Sequence, residues 1–204
     1  PDISLYEVVG AYSTFANKGI YIEPIFITRI EDKNGVPIFE VIPKTSDVLS
    51  EEAAYVTLNL MEGVTNYGSG GRLRHSGLEK TSYIYKNLIT GYPYEFKNAI
   101  AGKTGTTQNQ SDGWFMGMVP NLVTGVWVGG EDRSVHFEDI AFGQGATMAL
   151  PIWAQFMKNA YSNPDLGISD EKFQSPRVLT IPLNCENINI ESEKTKKDLE
   201  DLGF

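Results

Sequence analysis

Leu5, Val8, Val9, Tyr12, Phe15 and Ala16 recur at three- and four-residue intervals, the apolar stripe of an amphipathic helix. Just ahead, Ser4-Leu-Tyr-Glu7 has the form of a capping box, in which the serine caps an early amide and the glutamate reaches back. Gly19, after Asn17-Lys18, predicts a left-handed stop. The period then changes. Two β-rich runs, residues 25–30 and 36–42, flank Asp32-Lys-Asn-Gly35, and Asn-Gly between such runs predicts a hairpin. Pro37 confines its strand to an edge. Ser50-Glu-Glu opens a second helix running to about Asn66, with acids in its first turn and Ala54, Val56, Leu58, Leu60 and Met61 as candidates for burial.

An irregular stretch follows from Gly68-Ser-Gly-Gly-Arg72 to Phe96, with Tyr83, Tyr85, Tyr92 and Tyr94 along it. A loop this long is a site for function, so these tyrosines are read either as the rim of a cleft or as a cover for the core. Three strand-like segments come next, 99–106, 113–119 and 122–129. The short turn Pro120-Asn121 makes the last two an antiparallel hairpin. Gly143-Gln-Gly-Ala-Thr147 then leads into a helix over 148–161, with Trp153, Phe156 and Met157 as its apolar residues. Prolines and mixed charge dominate afterwards, and 191–201 is a charged stretch of the kind found in solvated tails. The pattern predicts an α+β domain over residues 1–162 and a C-terminal extension or linker over 163–204.

With 204 residues, 41% hydrophobic and 21% charged, the chain is large enough for one domain with a real core. The net charge of −9 argues against nucleic acid or an anionic membrane as the main partner, because both select an excess of Lys and Arg. Cys185 is the sole cysteine, so no internal disulfide forms. His75 and His136 lie far apart, outside any metal-ligand spacing, and both are read as surface residues. Neither a metal nor another cofactor is expected. No apolar run reaches the length of a membrane span, and no signal peptide opens the chain. The start at Pro1, without a methionine and almost directly into a helix, suggests excision from something longer.

The chemistry concentrates in Ala101-Gly-Lys103-Thr104-Gly105-Thr106-Thr107. On a sheet edge, such a strand pairs with an incoming peptide through its backbone. Gly105 lets that peptide approach because no Cβ intervenes. Lys103 supplies a positive field, and the hydroxyls of Thr104 and Thr106 donate to a terminal carboxylate, each bond to a charged group contributing about 1.5–3 kcal/mol. Strand alternation puts Lys103 and Gly105 on one face and Thr104 and Thr106 on the other, so a twist or bulge is needed for all of them to line one cleft. Gly102-Lys103-Thr104 also ends a phosphate-binding Gly-x-x-x-x-Gly-Lys-Thr, but the first glycine of that motif falls on Lys97. The segment also reads as strand, turn and strand rather than loop and helix, which sets the nucleotide reading aside.

Lys-Thr-Gly is one of three motifs shared by penicillin-binding proteins and class A β-lactamases. Beyond it, Glu7-Val-Val-Gly-Ala-Tyr-Ser-Thr-Phe-Ala-Asn-Lys-Gly19 with Pro24, Asp112-Gly-Trp-Phe-Met-Gly, Pro120-Asn-Leu-Val-Thr-Gly-Val-Trp-Val-Gly129 and Pro151-Ile-Trp-Ala-Gln-Phe-Met157 follow in family order. The chain resembles the C-terminal half of the transpeptidase domain of a class A, bifunctional penicillin-binding protein. The resemblance implies a β-lactamase-like fold, an antiparallel sheet between helical layers with the Lys103–Thr106 segment along the cleft. It implies serine acyl transfer on the D-Ala-D-Ala end of peptidoglycan stem peptides, with β-lactams acylating the same serine, on the outer face of the bacterial cytoplasmic membrane. Lys103 then tunes the polar network around the nucleophile, Thr104 and Thr106 hold the substrate carboxylate, and Gly105 admits the peptide. Other cell-wall synthesis proteins are the implied partners, and an upstream part supplies the membrane anchor and a glycosyltransferase domain.

The departures from the family are specific. Ser-x-Asn is absent, and the sole Ser-x-x-Lys, Ser169-Asp-Glu-Lys172, follows Lys103 instead of preceding it. A nucleophile and its base must sit within hydrogen-bond reach, and nothing else nominates such a pair. The chain is therefore read as the binding wall of a site whose serine lies outside it, inactive alone. The alternatives are a fragment of a D,D-carboxypeptidase or β-lactamase, or a non-catalytic module that binds stem peptides.

Overall fold

The computed structural model describes residues 3–74 and 92–183. His75, Tyr83, Tyr85, Cys185 and the 191–201 stretch lie outside the described residues. Helix α1 (Leu5–Ala16) starts on the expected capping box: Ser4 Oγ accepts from the Glu7 amide, and the Glu7 carboxylate accepts from the Ser4 amide at 2.8 Å. It ends where Lys18 and Gly19 turn left-handed, with φ of 58° and 90°. Gly19 must be glycine, because a Cβ there would run into the Leu49 carbonyl.

The hairpin around Asp32-Lys-Asn-Gly35 forms from β2 (Arg29–Glu31) and β3 (Pro37–Glu40). The predicted strand over 25–30 is shorter than its sequence, since Phe26 leaves the ribbon to stack on Tyr6 of α1 at 5.2 Å. A second two-stranded pair, β1 (Ile20–Ile22) with β4 (Thr45–Asp47), was not predicted. Thr-Ser-Asp carries no apolar alternation to mark it.

Helix α2 (Glu51–Asn66) is capped by Ser50 and buries Ala54, Leu58 and Thr65. Leu60 is 69% exposed, contrary to expectation, because two residues beyond Leu58 is a turn of about 200° away from the buried face. The Thr65 hydroxyl donates to the Ile100 carbonyl at 2.5 Å. Arg74 donates to the carbonyls of Asn98 and Phe96 at 2.5 and 3.1 Å. These bonds fix where the central sheet begins.

That sheet has the order β5 (Ala101–Thr106), β6 (Asp112–Val119), β7 (Leu122–Gly129), all antiparallel, so β5 is an edge among the described strands. Pro120-Asn121 makes the predicted turn between β6 and β7. The chain then forms two short helices, α3 (Ile140–Gly143) and α4 (Gly145–Met148), before α5 (Leu150–Tyr161). Trp153 and Met157 of α5 are buried, in one stripe with Leu150, Ala154 and Ala160, but Phe156 is half exposed because it lies on the side of the helix turned from that stripe. Trp153 lies over Gly117, whose Cβ would run into its ring, and meets Phe115 edge-on at 5.3 Å. The outcome is an α+β arrangement, an antiparallel sheet with α1 on one face and α4 and α5 on the other. Tyr94 is buried in this core and Tyr92 packs edge-on against it, which makes these two tyrosines cover for the core.

Residues 163–183, the first part of the expected extension, run back over the body. The Asn121 side chain bonds both Gly167 O and Ser169 N at 2.8 Å. Phe173 buries against Leu58, Ala101 and Met118, and the Glu52 carboxylate accepts from the amides of Thr180 and Ile181. No described helix is long and apolar enough to cross a membrane.

Candidate active site

Strand β5 pairs with β6 one residue to one residue, from Ala101 opposite Met118 to Thr106 opposite Gly113. No bulge interrupts the strand, so its side chains alternate and directly opposed residues share a face. Lys103 and Gly105 lie on the face of Met116 and Trp114, toward α1. Thr104 and Thr106 lie on the face of Phe115 and Gly113, toward α4 and α5.

The α1 side opens into a groove of about 640 Å³. Lys103, Thr104, Gly105 and Thr107 form one wall, Ile3, Ser4, Leu5, Val8 and Tyr12 the other, and Trp114, Met116 and Trp127 the floor, with Asp112 and Arg133 also lining it. The two tryptophans meet edge-on at 6.3 Å, and the Trp114 indole donates to Asp112 Oδ1 at 3.0 Å. Lys103 is exposed and its ammonium donates to the Thr104 carbonyl at 2.6 Å. With Arg133, it gives the groove two cations against the one carboxylate of Asp112, a positive spot on an acidic molecule that suits an anionic ligand. Burial pushes the Tyr12 phenol up, which keeps it a neutral donor.

Thr106 does not line this groove, so the strand brings Lys103, Thr104 and Gly105 together there and leaves Thr106 apart. The Thr106 hydroxyl accepts from the Gly145 amide at 3.0 Å. The Thr104 hydroxyl sits 2.6 Å from Ser69 Oγ. Gly145 packs so tightly on the sheet that a Cβ would collide with the Gly105 carbonyl and lie 2.5 Å from that of Trp114.

Ser4 is a groove residue whose hydroxyl meets a carboxylate, Glu7 Oε2 at 2.6 Å. That bond belongs to the helix cap. It holds the Glu7 carboxyl below the usual glutamate range, a weak base for activating a nucleophile. Neither Ser169 nor Lys172 lines the groove; Lys172 lines two other cavities, beside Phe173. Sequence reasoning missed Arg133, Ser69 and Arg72. The Gly-Ser-Gly-Gly-Arg run directly after α2 was the available signal for the last two, whereas Arg133 sits in a polar loop with nothing to distinguish it.

Over residues 2–157 the chain matches the family described as the penicillin-binding protein transpeptidase domain, and it belongs to that family. The family is a class of serine acyltransferases. Among curated relatives, the chain is 31% identical to penicillin-binding protein 1A of Aquifex aeolicus over 83% of its length, and 33% identical to penicillin-binding protein 2D of Bacillus subtilis over 85%. It spans only about a fifth of those relatives, 21% and 22% of their lengths. Its fold is similar to that of penicillin-binding protein 1A from Haemophilus influenzae, with a TM-score of 0.64 and 24% identity, covering 86% of this chain and 28% of that one.

Proposed function

We propose that this chain is the substrate-binding wall of a peptidoglycan D,D-transpeptidase within a longer bifunctional cell-wall synthase, acting on the outer face of the cytoplasmic membrane. Residues 1–162 are its share of the catalytic domain and 163–204 an extension. The observation that carries the reading is the placement of Lys103 and Gly105, side by side on an edge strand and open to a groove with surplus positive charge.

In this reading a stem peptide ending in D-Ala-D-Ala lies antiparallel along β5, and its backbone takes the free edge of the strand. Gly105 leaves room for it. Thr104 and Thr106 donate to its terminal carboxylate. A serine outside this chain attacks the penultimate carbonyl, and D-alanine departs carrying the proton on its amine. The amine of a second stem then displaces the serine, restoring its hydroxyl and closing the cross-link. Lys103 contributes charge, stabilising the anionic oxygens that develop during attack. A β-lactam follows the first half of the same course and stops at the acyl-serine. Alone, the chain holds neither Ser-x-Asn nor a Ser-x-x-Lys on the groove and does not catalyse.

The test is release of D-alanine. The complete protein, given a diacylated D-Ala-D-Ala peptide and an acceptor amine, releases D-alanine and forms the cross-linked product, and Lys103→Ala suppresses both. Unaltered turnover in that variant removes Lys103 from the mechanism. Binding of the peptide without release leaves a stem-peptide-binding module instead.

A further inference from the structure

The face of β5 turned away from the groove is held by one tight turn. Ser69, just past α2, meets the Thr104 hydroxyl directly at 2.6 Å. Three residues on, Arg72 is 7% exposed and reaches across to α4, where its Nη1 donates to the Ala146 carbonyl and the Thr147 hydroxyl, both at 2.7 Å. Thr147 passes its own proton to the Ala141 carbonyl at 3.0 Å, which ties α3 to α4. Gly145, at the start of α4, gives its amide to Thr106. A single turn thus reaches Thr104 directly and Thr106 through Arg72, Ala146 and Gly145.

We propose that Arg72 is a positioning residue that sets the Thr106 hydroxyl for capture of the substrate carboxylate, with Ser69 setting Thr104 alongside it. The inference rests on the reading of both threonines as carboxylate donors. A hydroxyl has one proton to give. When its oxygen accepts from the Gly145 amide, that proton is not spent on α4 and stays available to an acceptor. Without Arg72, the 145–147 segment loses a charged hydrogen-bond donor shared between two acceptors, and bonds to charged groups are the strong ones. The Gly145 amide then drifts, and the Thr106 rotor with it.

The experiment uses the complete protein and two penicillins that differ only in carrying a carboxylate or a carboxamide, with the acylation rate constant measured per titratable site. In Arg72→Met the constant for the carboxylate falls roughly tenfold and that for the carboxamide less than about twofold, since misplacing a binding group by a fraction of an ångström carries a penalty of this order. Arg72→Lys, which keeps a cation, lies between wild type and Arg72→Met. Thr147→Val removes one of the two acceptors and gives a smaller loss with the same selectivity, so it carries the test if Arg72→Met does not fold. Equal losses for the two penicillins, or a lower Tm and site count with unchanged rate constants per site, overturn the proposal. If Thr106→Val itself fails to discriminate the two penicillins, the carboxylate reading falls and this inference with it. Discrimination by Thr106→Val but by neither Arg72→Met nor Thr147→Val overturns the inference alone.

Discussion

The two faces of β5 are built differently. On the α1 face, Lys103 stands exposed beside a groove of about 640 Å³, bonded only to a backbone carbonyl of its own strand among the contacts described. On the other face, Thr104 and Thr106 are fixed by Ser69 and Gly145, and behind them Trp153 and Phe115 are fully packed. A charge acts over several ångströms and tolerates a mobile carrier. A hydroxyl acts only within a narrow range of distance and angle, so its carrier must be held. Alternation alone puts Lys103 and the two threonines on opposite faces, with no bulge in the strand.

Variants on the two faces should separate accordingly, and the largest effect belongs to the open one. Lys103→Ala in the complete protein lowers the β-lactam acylation rate about 10²–10³-fold, the range for losing one preorganised electrostatic group, with Tm unchanged because the side chain is exposed. A matching fall in Tm would mean that Lys103 is structural and would erase the contrast. On the held face, Thr104→Val weakens binding of carboxylate ligands by about 1.5–3 kcal/mol, read as affinity for a carboxylate-bearing peptide against its carboxamide. Equal affinities for the two peptides in both proteins would strip Thr104 of that role.

Gly145→Ala is the converse case, expected to destabilise by about 1–3 kcal/mol through overpacking, because its Cβ meets the carbonyls of Gly105 and Trp114. Denaturant titration that leaves the midpoint in place would show that α4 does not clamp the strand. The smallest effect lies farther off, at Glu62, whose carboxyl is pushed above the ordinary glutamate range by burial, against the opposing influence of Arg74 and Lys172. Its raised folded value contributes stability only below the ordinary range, and that contribution is lost as pH rises through the folded value. Glu62→Gln should therefore match the wild type in acid and exceed it at neutral pH by less than about 1 kcal/mol. A stability difference that does not vary with pH would contradict this.

How much of this could be read in advance depended on how local each cause is. The capping box of α1, the Asn-Gly hairpin and the β6–β7 turn are signalled within four residues, and all three stand where the sequence puts them. The alternation of Lys103 against Thr104 and Thr106 was equally legible, since it needs only a regular strand. The β1–β4 pair was not, because Thr45-Ser-Asp47 becomes a strand only through a partner more than twenty residues away. Leu60 misled because apolar identity says nothing about which side of a helix is turned inward. Arg72 was out of reach for the same reason at longer range: its acceptors lie 74 and 75 residues further along the chain. The family match over residues 2–157 covers the legible part and the site together.

The central claim is that these residues form a wall and that the nucleophile is elsewhere, so the position of the acylated serine tests it most directly. The complete protein is labelled with a penicillin and digested, and the acylated peptide is located by mass spectrometry. The acyl-serine is expected outside these 204 residues, in a Ser-x-x-Lys sequence ahead of Pro1. An acyl group on any serine of this chain, Ser69 or Ser169 included, would contradict it.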